Sequence, residues 1–124
     1  MPDAITLTLP REAEYQGVAQ LVLAGLAARL DLTLEHLEDL QIALGALLDP
    51  AARATTGDDE LTVRLTVHED ALEAVVGPLS PRLLEALERE AGAGLGVKRV
   101  LESTVDDIHV DGDSVRLTKR RTGG

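Results

Sequence analysis

Cysteine is absent from the 124 residues, as are phenylalanine and tryptophan, and Tyr15 is the one aromatic side chain. Without a thiol the chain forms no disulfide, offers no thiolate nucleophile and builds no cysteine metal site. Without large rings the core has to be filled by branched aliphatic side chains, and the 44% hydrophobic share is almost wholly Leu, Val, Ala and Ile. Positive charge is scarce too: 12 Lys and Arg stand against 22 Asp and Glu, a formal net charge of −10. That field repels a phosphate backbone, so nucleic acid is not an expected partner, and it suits a partner with a basic face. Long apolar runs are also missing, which gives no expectation of a membrane span. The start MPDAITLTLP alternates instead of running basic and then apolar, unlike a signal peptide, so a cytoplasmic location is expected.

What is present is periodicity, over a length typical of one domain, here expected to span residues 1–124. Ile5 to Leu9 alternates as a strand and Pro10 ends it. From Arg11 the spacing becomes helical, with Val18, Leu21, Val22, Gly25 and Leu26 expected as the buried stripe and Glu12 and Glu14 in the opening turns. Gly17 and Gly25 are either points of close approach to another backbone or weak spots in this helix. Thr33 can cap a second helix whose Leu37, Leu40, Leu44 and Leu47 share a side, and Asp49-Pro50 ends it. Residues 51–60 read as an exposed loop. Leu61 to Val67 alternates strictly, His68-Glu69-Asp70 turns, and Leu72 to Val76 returns as a hairpin partner. The near-continuous apolar character of that return predicts a central strand covered on both faces.

Ser80-Pro81 pairs a side-chain cap with a first-turn proline, and Leu83, Leu84 and Leu87 supply the stripe of the helix that follows. A glycine-rich stretch over 91–96 then leads to a short helix with Val97, Val100 and Leu101. A last hairpin, Val105 to Val110 and Ser114 to Arg120, turns at Asp111-Gly112-Asp113. The expected fold class is α/β (α+β): a two-layer sandwich in which helices cover one face of a mixed or largely antiparallel sheet.

No residue set declares a reaction. His36, His68 and His109 lie far apart without ligand spacing, and Asp58-Asp59 and Asp106-Asp107 read as solvated charges. Ser80 is explained as a cap, and no nucleophile elbow surrounds it, Ser103 or Thr104. The basic stretch Arg116 to Arg121, with Lys98 and Arg99, reads as a solvent-facing hairpin edge.

Three stretches resemble the bacterial anti-sigma regulatory factors, serine-protein kinases with the histidine-kinase-like (Bergerat) ATPase fold. They are ITLTLPREAEYQGVAQLVLAGLAARL with LEHLEDLQIALGALLDP, then LTVRLTVHEDALEAVVGPLS, then GAGLGVKRVLESTVDDIHVDGDSVRLTKR, in the family's order. The resemblance implies ATP and Mg²⁺ as cofactors, a sigma factor or an anti-sigma antagonist as partner, and a homodimer. It puts the family's general-base glutamate at Ala46 and its Mg²⁺-holding asparagine at Pro50; a shifted register brings up Gly45 and Asp49. The adenine-recognising aspartate falls on Val75, ahead of Gly77-Pro78-Leu79, where the second glycine of D-x-G-x-G is Leu79. Gly92, Gly94 and Gly96 match the phosphate-side loop. Alanine accepts no proton and proline offers no side-chain oxygen to a hard cation. The leading expectation is therefore a non-catalytic, protein-binding regulator with no cofactor, a decayed Mg·ATP site and vestigial Gly77, Gly92, Gly94 and Gly96. The alternatives are an active ATP-binding serine kinase using Asp49, and a ligand-free homodimeric module.

Overall fold

A computed structural model describes residues 3–10, 15–29, 32–48, 60–88 and 96–120. Glu12, Glu14, Asp49, Pro50, the 51–59 stretch, Gly92 and Gly94 lie outside the described residues. The element order is β1 (Asp3–Pro10), α1 (Gln16–Arg29), α2 (Leu34–Leu48), β2 (Glu60–Val67), β3 (Ala71–Gly77), α3 (Pro81–Glu88), α4 (Gly96–Thr104), β4 (Asp107–Asp111) and β5 (Ser114–Arg120). The five strands form one sheet in the order β1-β2-β3-β5-β4, and every neighbouring pair is antiparallel.

Strand alternation sorts the sheet into two faces. Leu9 of β1, Leu61, Val63 and Leu65 of β2, Leu72, Ala74 and Val76 of β3, and Val115 and Leu117 of β5 join the helices in one buried cluster. On the other face the register sets Thr6, Arg64, Val75, Arg116 and His109 side by side across all five strands. β3 is central as expected, but only its alternate residues meet helices. Glu73 and Val75 are half-buried on the helix-free face, so the expected two-sided cover is corrected to one-sided. Residues of adjoining strands shield an apolar side chain at the middle of a sheet enough to permit valine there.

The helix signals are local and act locally. The Thr33 hydroxyl accepts the His36 amide at 3.1 Å and the Ser80 hydroxyl accepts the Leu83 amide at 3.2 Å, each satisfying an N-terminal donor worth about 1 kcal/mol. On α2 the buried side is Leu40, Ala43, Leu44, Leu47 and Leu48, with Leu37 packed at its margin. Helix α1 departs from expectation: Ala19, Leu23, Leu26 and Ala27 face the core, whereas Val18 is 42% and Leu21 76% exposed. Its sequence is apolar nearly all round, so periodicity alone selects no side. Two glutamines fix the side instead, Gln16 donating to the Leu48 carbonyl at 2.9 Å and Gln20 to the Gln41 carbonyl at 3.0 Å.

Neither Gly17 nor Gly25 approaches another backbone, because a Cβ at either position meets nothing within 4 Å. Gly25 lies in mid-helix and is exposed, so Gly25→Ala removes backbone entropy from the unfolded chain without a clash. A gain of about 0.5–1 kcal/mol in urea unfolding free energy is expected, and a loss would mean that the position is covered.

Candidate functional site

The family resemblance directs attention to one stripe of α2 and to the end of β3. Asp39, Ala43 and Ala46 recur at i, i+4 and i+7 and so share a stripe of the helix. Ala43 is buried, and Ala46 is half-buried against the apolar core. Asp39 accepts Lys119 of β5, Nζ to Oδ2 3.3 Å, and the same ammonium donates to the carbonyl of Thr104, the last residue of α4, at 3.0 Å. Lys119 retains 11% of its side-chain exposure and Asp39 30%. A cation on the final carbonyls of α4 also complements the negative end of that helix. One ammonium thereby pins α2, α4 and β5 together, and it occupies the one carboxylate among these three stripe positions.

Asp39→Ala leaves the covered ammonium with only the Thr104 carbonyl, and a loss of about 1–3 kcal/mol in urea unfolding is expected. The more exposed Arg120–Asp107 pair, at 2.5 Å, provides the contrast, with Asp107→Ala changing stability by no more than about 1 kcal/mol. Equal effects from the two substitutions would deny the partly buried pair its role.

At the end of β3, Val75 pairs with Arg64 of β2 and Arg116 of β5 and lies on the helix-free face. Its position and Ala46 are therefore not brought together. A shift of one residue moves the family's aspartate position to Val76, which is fully buried in the core. Either register supplies valine.

Gly77 is buried against the β4–β5 turn. A Cβ there would lie 3.0 Å from the Ser114 Cβ and 3.1 Å from the Asp113 carbonyl oxygen, and closer still to the Ser114 hydroxyl. The Leu79 amide donates to that same Asp113 carbonyl at 2.8 Å, and the Gly77–Pro78 peptide is cis. Packing against the turn thus accounts for glycine at position 77. Gly96 opens α4, while Gly92, Gly94 and Asp49 fall outside the described residues.

Among the described residues, position 46 carries a methyl, 75 and 76 carry valines, and Asp39 is held by Lys119. Among the described residues no three His, Asp or Glu groups converge as metal ligands, and no helix is long and apolar enough to cross a membrane. Sequence reading missed the Lys119–Asp39 link, for which a separation of 80 positions leaves no local signal.

A five-stranded antiparallel sheet with α1 and α2 inserted between its first two strands, and α3 and α4 before the closing hairpin, is the two-layer architecture of the histidine-kinase-like ATPases. The chain is similar to the serine-protein kinase RsbW of Listeria monocytogenes serotype 4a, at 34% identity over 96% of this chain and 88% of that protein. It is similar also to RsbW of Bacillus velezensis, at 30% identity over 98% and 88%, and of Bacillus subtilis strain 168, at 29% over 98% and 88%. No protein-family model matches the sequence. The chain belongs to the serine-protein kinase RsbW family.

Proposed function

We propose that this chain is a protein-binding regulator of the anti-sigma type in which the Mg·ATP chemistry of its relatives has been lost. Its partner is a sigma factor or an anti-sigma antagonist. The observation that carries the reading is Ala46, a methyl group half-buried against the core at the place where the family resemblance puts a proton-accepting glutamate. General-base catalysis needs a titratable group within hydrogen-bond reach of the substrate hydroxyl, and a methyl supplies none. The valines at 75 and 76 support the same reading, since recognition of the adenine amino group needs an acceptor. Gly92, Gly94 and Gly96 are then the remnant of a phosphate-side loop.

Isothermal titration with Mg·ATP is expected to give no heat of binding up to millimolar nucleotide, and incubation with labelled ATP and an antagonist protein no phosphoserine. Micromolar binding with phosphate transfer to a partner serine would overturn the proposal. The relatives' name, serine-protein kinase, favours one second reading, an active kinase with Asp49 near the metal and Gly94 and Gly96 near the phosphates. On that reading Asp49→Ala abolishes nucleotide binding while the far-ultraviolet circular dichroism stays unchanged.

A further inference from the structure

A groove of about 620 Å³ runs between α3, α4 and β4, away from Ala46 and Gly77. Its floor is apolar: Leu87 of α3, with Val105, Ile108 and Val110 along the strand side. β4 ends the strand order, so one of its edges has no strand beside it among the described residues. Asp111 and Ser114 close a two-residue turn at Gly112 and Asp113, Gly112 having φ +64°. Bonded and non-bonded pairs alternate outward from such a closing pair, which turns the amides and carbonyls of Ile108 and Val110 towards the free edge. These are the same residues that floor the groove.

Charge selects what can lie there. Asp107 is taken by Arg120, and the Asp106 carboxylate accepts the Arg120 backbone amide at 2.6 Å. Glu88, Glu102 and Asp106 line the groove together with Lys98 and His109. A second copy of this chain, with its net charge of −10, would bring like charges to the edge, since Asp111 lies on β4 itself and Glu88, Glu102 and Asp106 line the groove beside it. An extended segment that carries both apolar residues and Lys or Arg on one of its two faces meets the opposite condition. Its backbone completes the ladder, and on the helix side its apolar side chains reach the floor while its cations meet the rim.

We propose that the β4 edge is a docking groove for an extended basic segment of a partner protein, which adds to the sheet as a sixth strand. The proposal rests on the reading above only in that the chain's ligand is a protein.

The test uses the full chain and three probes: a ten-residue Lys–Val peptide, with Val and Lys taking turns at its odd positions and Thr between them, its fully N-methylated form, and a Glu–Val counterpart with Glu for Lys. The Lys–Val peptide is expected to bind and to slow amide exchange at Ile108 and Val110 by about tenfold or more. The N-methylated and Glu–Val peptides should bind at least about tenfold more weakly, and Glu88→Gln with Glu102→Gln should weaken the Lys–Val peptide by about fivefold at low salt. Absence of binding, equal binding of the N-methylated peptide, or protection mapping to another strand would overturn the proposal. None of these outcomes bears on nucleotide binding, and Mg·ATP heat would sink the proposed function without touching the β4 edge.

Discussion

Leu117→Ala is expected to lower the unfolding free energy by about 4 kcal/mol, near the top of the range for buried leucines. The reason is the row in which Leu117 stands. The register aligns Leu65 of β2, Ala74 of β3, Leu117 of β5 and Ile108 of β4, with Leu65 and Leu117 fully buried and Ala74 2% exposed. Ala74 is already the small member between two leucines, so its methyl cannot grow into the space that Leu117→Ala opens. The core also holds no aromatic ring able to swing into the gap. Where neighbours cannot collapse, the cavity cost adds in full to the lost transfer energy. Leu83, 9% exposed at the outer end of the core, should cost closer to 2 kcal/mol when cut to alanine. Urea titrations at unchanged m-value measure both, and equal losses would mean that the central row is not the tight part of the core. Against a total of about 5–15 kcal/mol, the Leu117 change alone removes a large fraction of stability.

Those parts of the fold that depend on neighbours in sequence were readable from sequence. Thr33 and Ser80 cap the helices they precede, Leu61 to Leu65 alternate into the core, and Gly112 turns the last hairpin, because each signal acts within four residues. The buried side of α1 was not readable. Val18 and Leu21 have the right spacing, but Ala19, Leu23, Leu26 and Ala27 have it as well, and the choice falls to Gln16 and Gln20, whose partners lie on another helix. Hydrophobicity on every side of a helix tells that it packs and withholds the direction. The same holds for β3, where Val75 looked like a core residue and lies on the face without helices.

The candidate site divides along the same line. Counting along α2 from the family pattern reaches Ala46, and that this side chain accepts no proton needs no coordinates. What fills the neighbourhood could not be counted: Lys119 comes from the last strand to meet Asp39 and Thr104, a meeting made by the crossover that sets β5 beside β3. The β4 groove likewise exists only once β4 is known to end the sheet.

Gly77→Ala separates a packing duty from a ligand duty, and a loss of about 2–3 kcal/mol is expected. The new Cβ meets the Ser114 Cβ at 3.0 Å and the Asp113 carbonyl at 3.1 Å, and the hydroxyl of Ser114 stands nearer still. A hydroxyl can rotate away, but a backbone carbonyl that also accepts the Leu79 amide cannot shift without loosening that bond. Ser114→Gly removes the side-chain part of the clash and leaves the carbonyl. The double variant should therefore recover some, not all, of the stability lost by Gly77→Ala, with a coupling energy of about 1 kcal/mol in a double-mutant cycle. Strictly additive losses would show that the turn does not press on this glycine. A Gly77→Ala protein with unchanged urea midpoint would return the position to a ligand role, since the packing against Ser114 and Asp113 would then explain nothing about why glycine stands there.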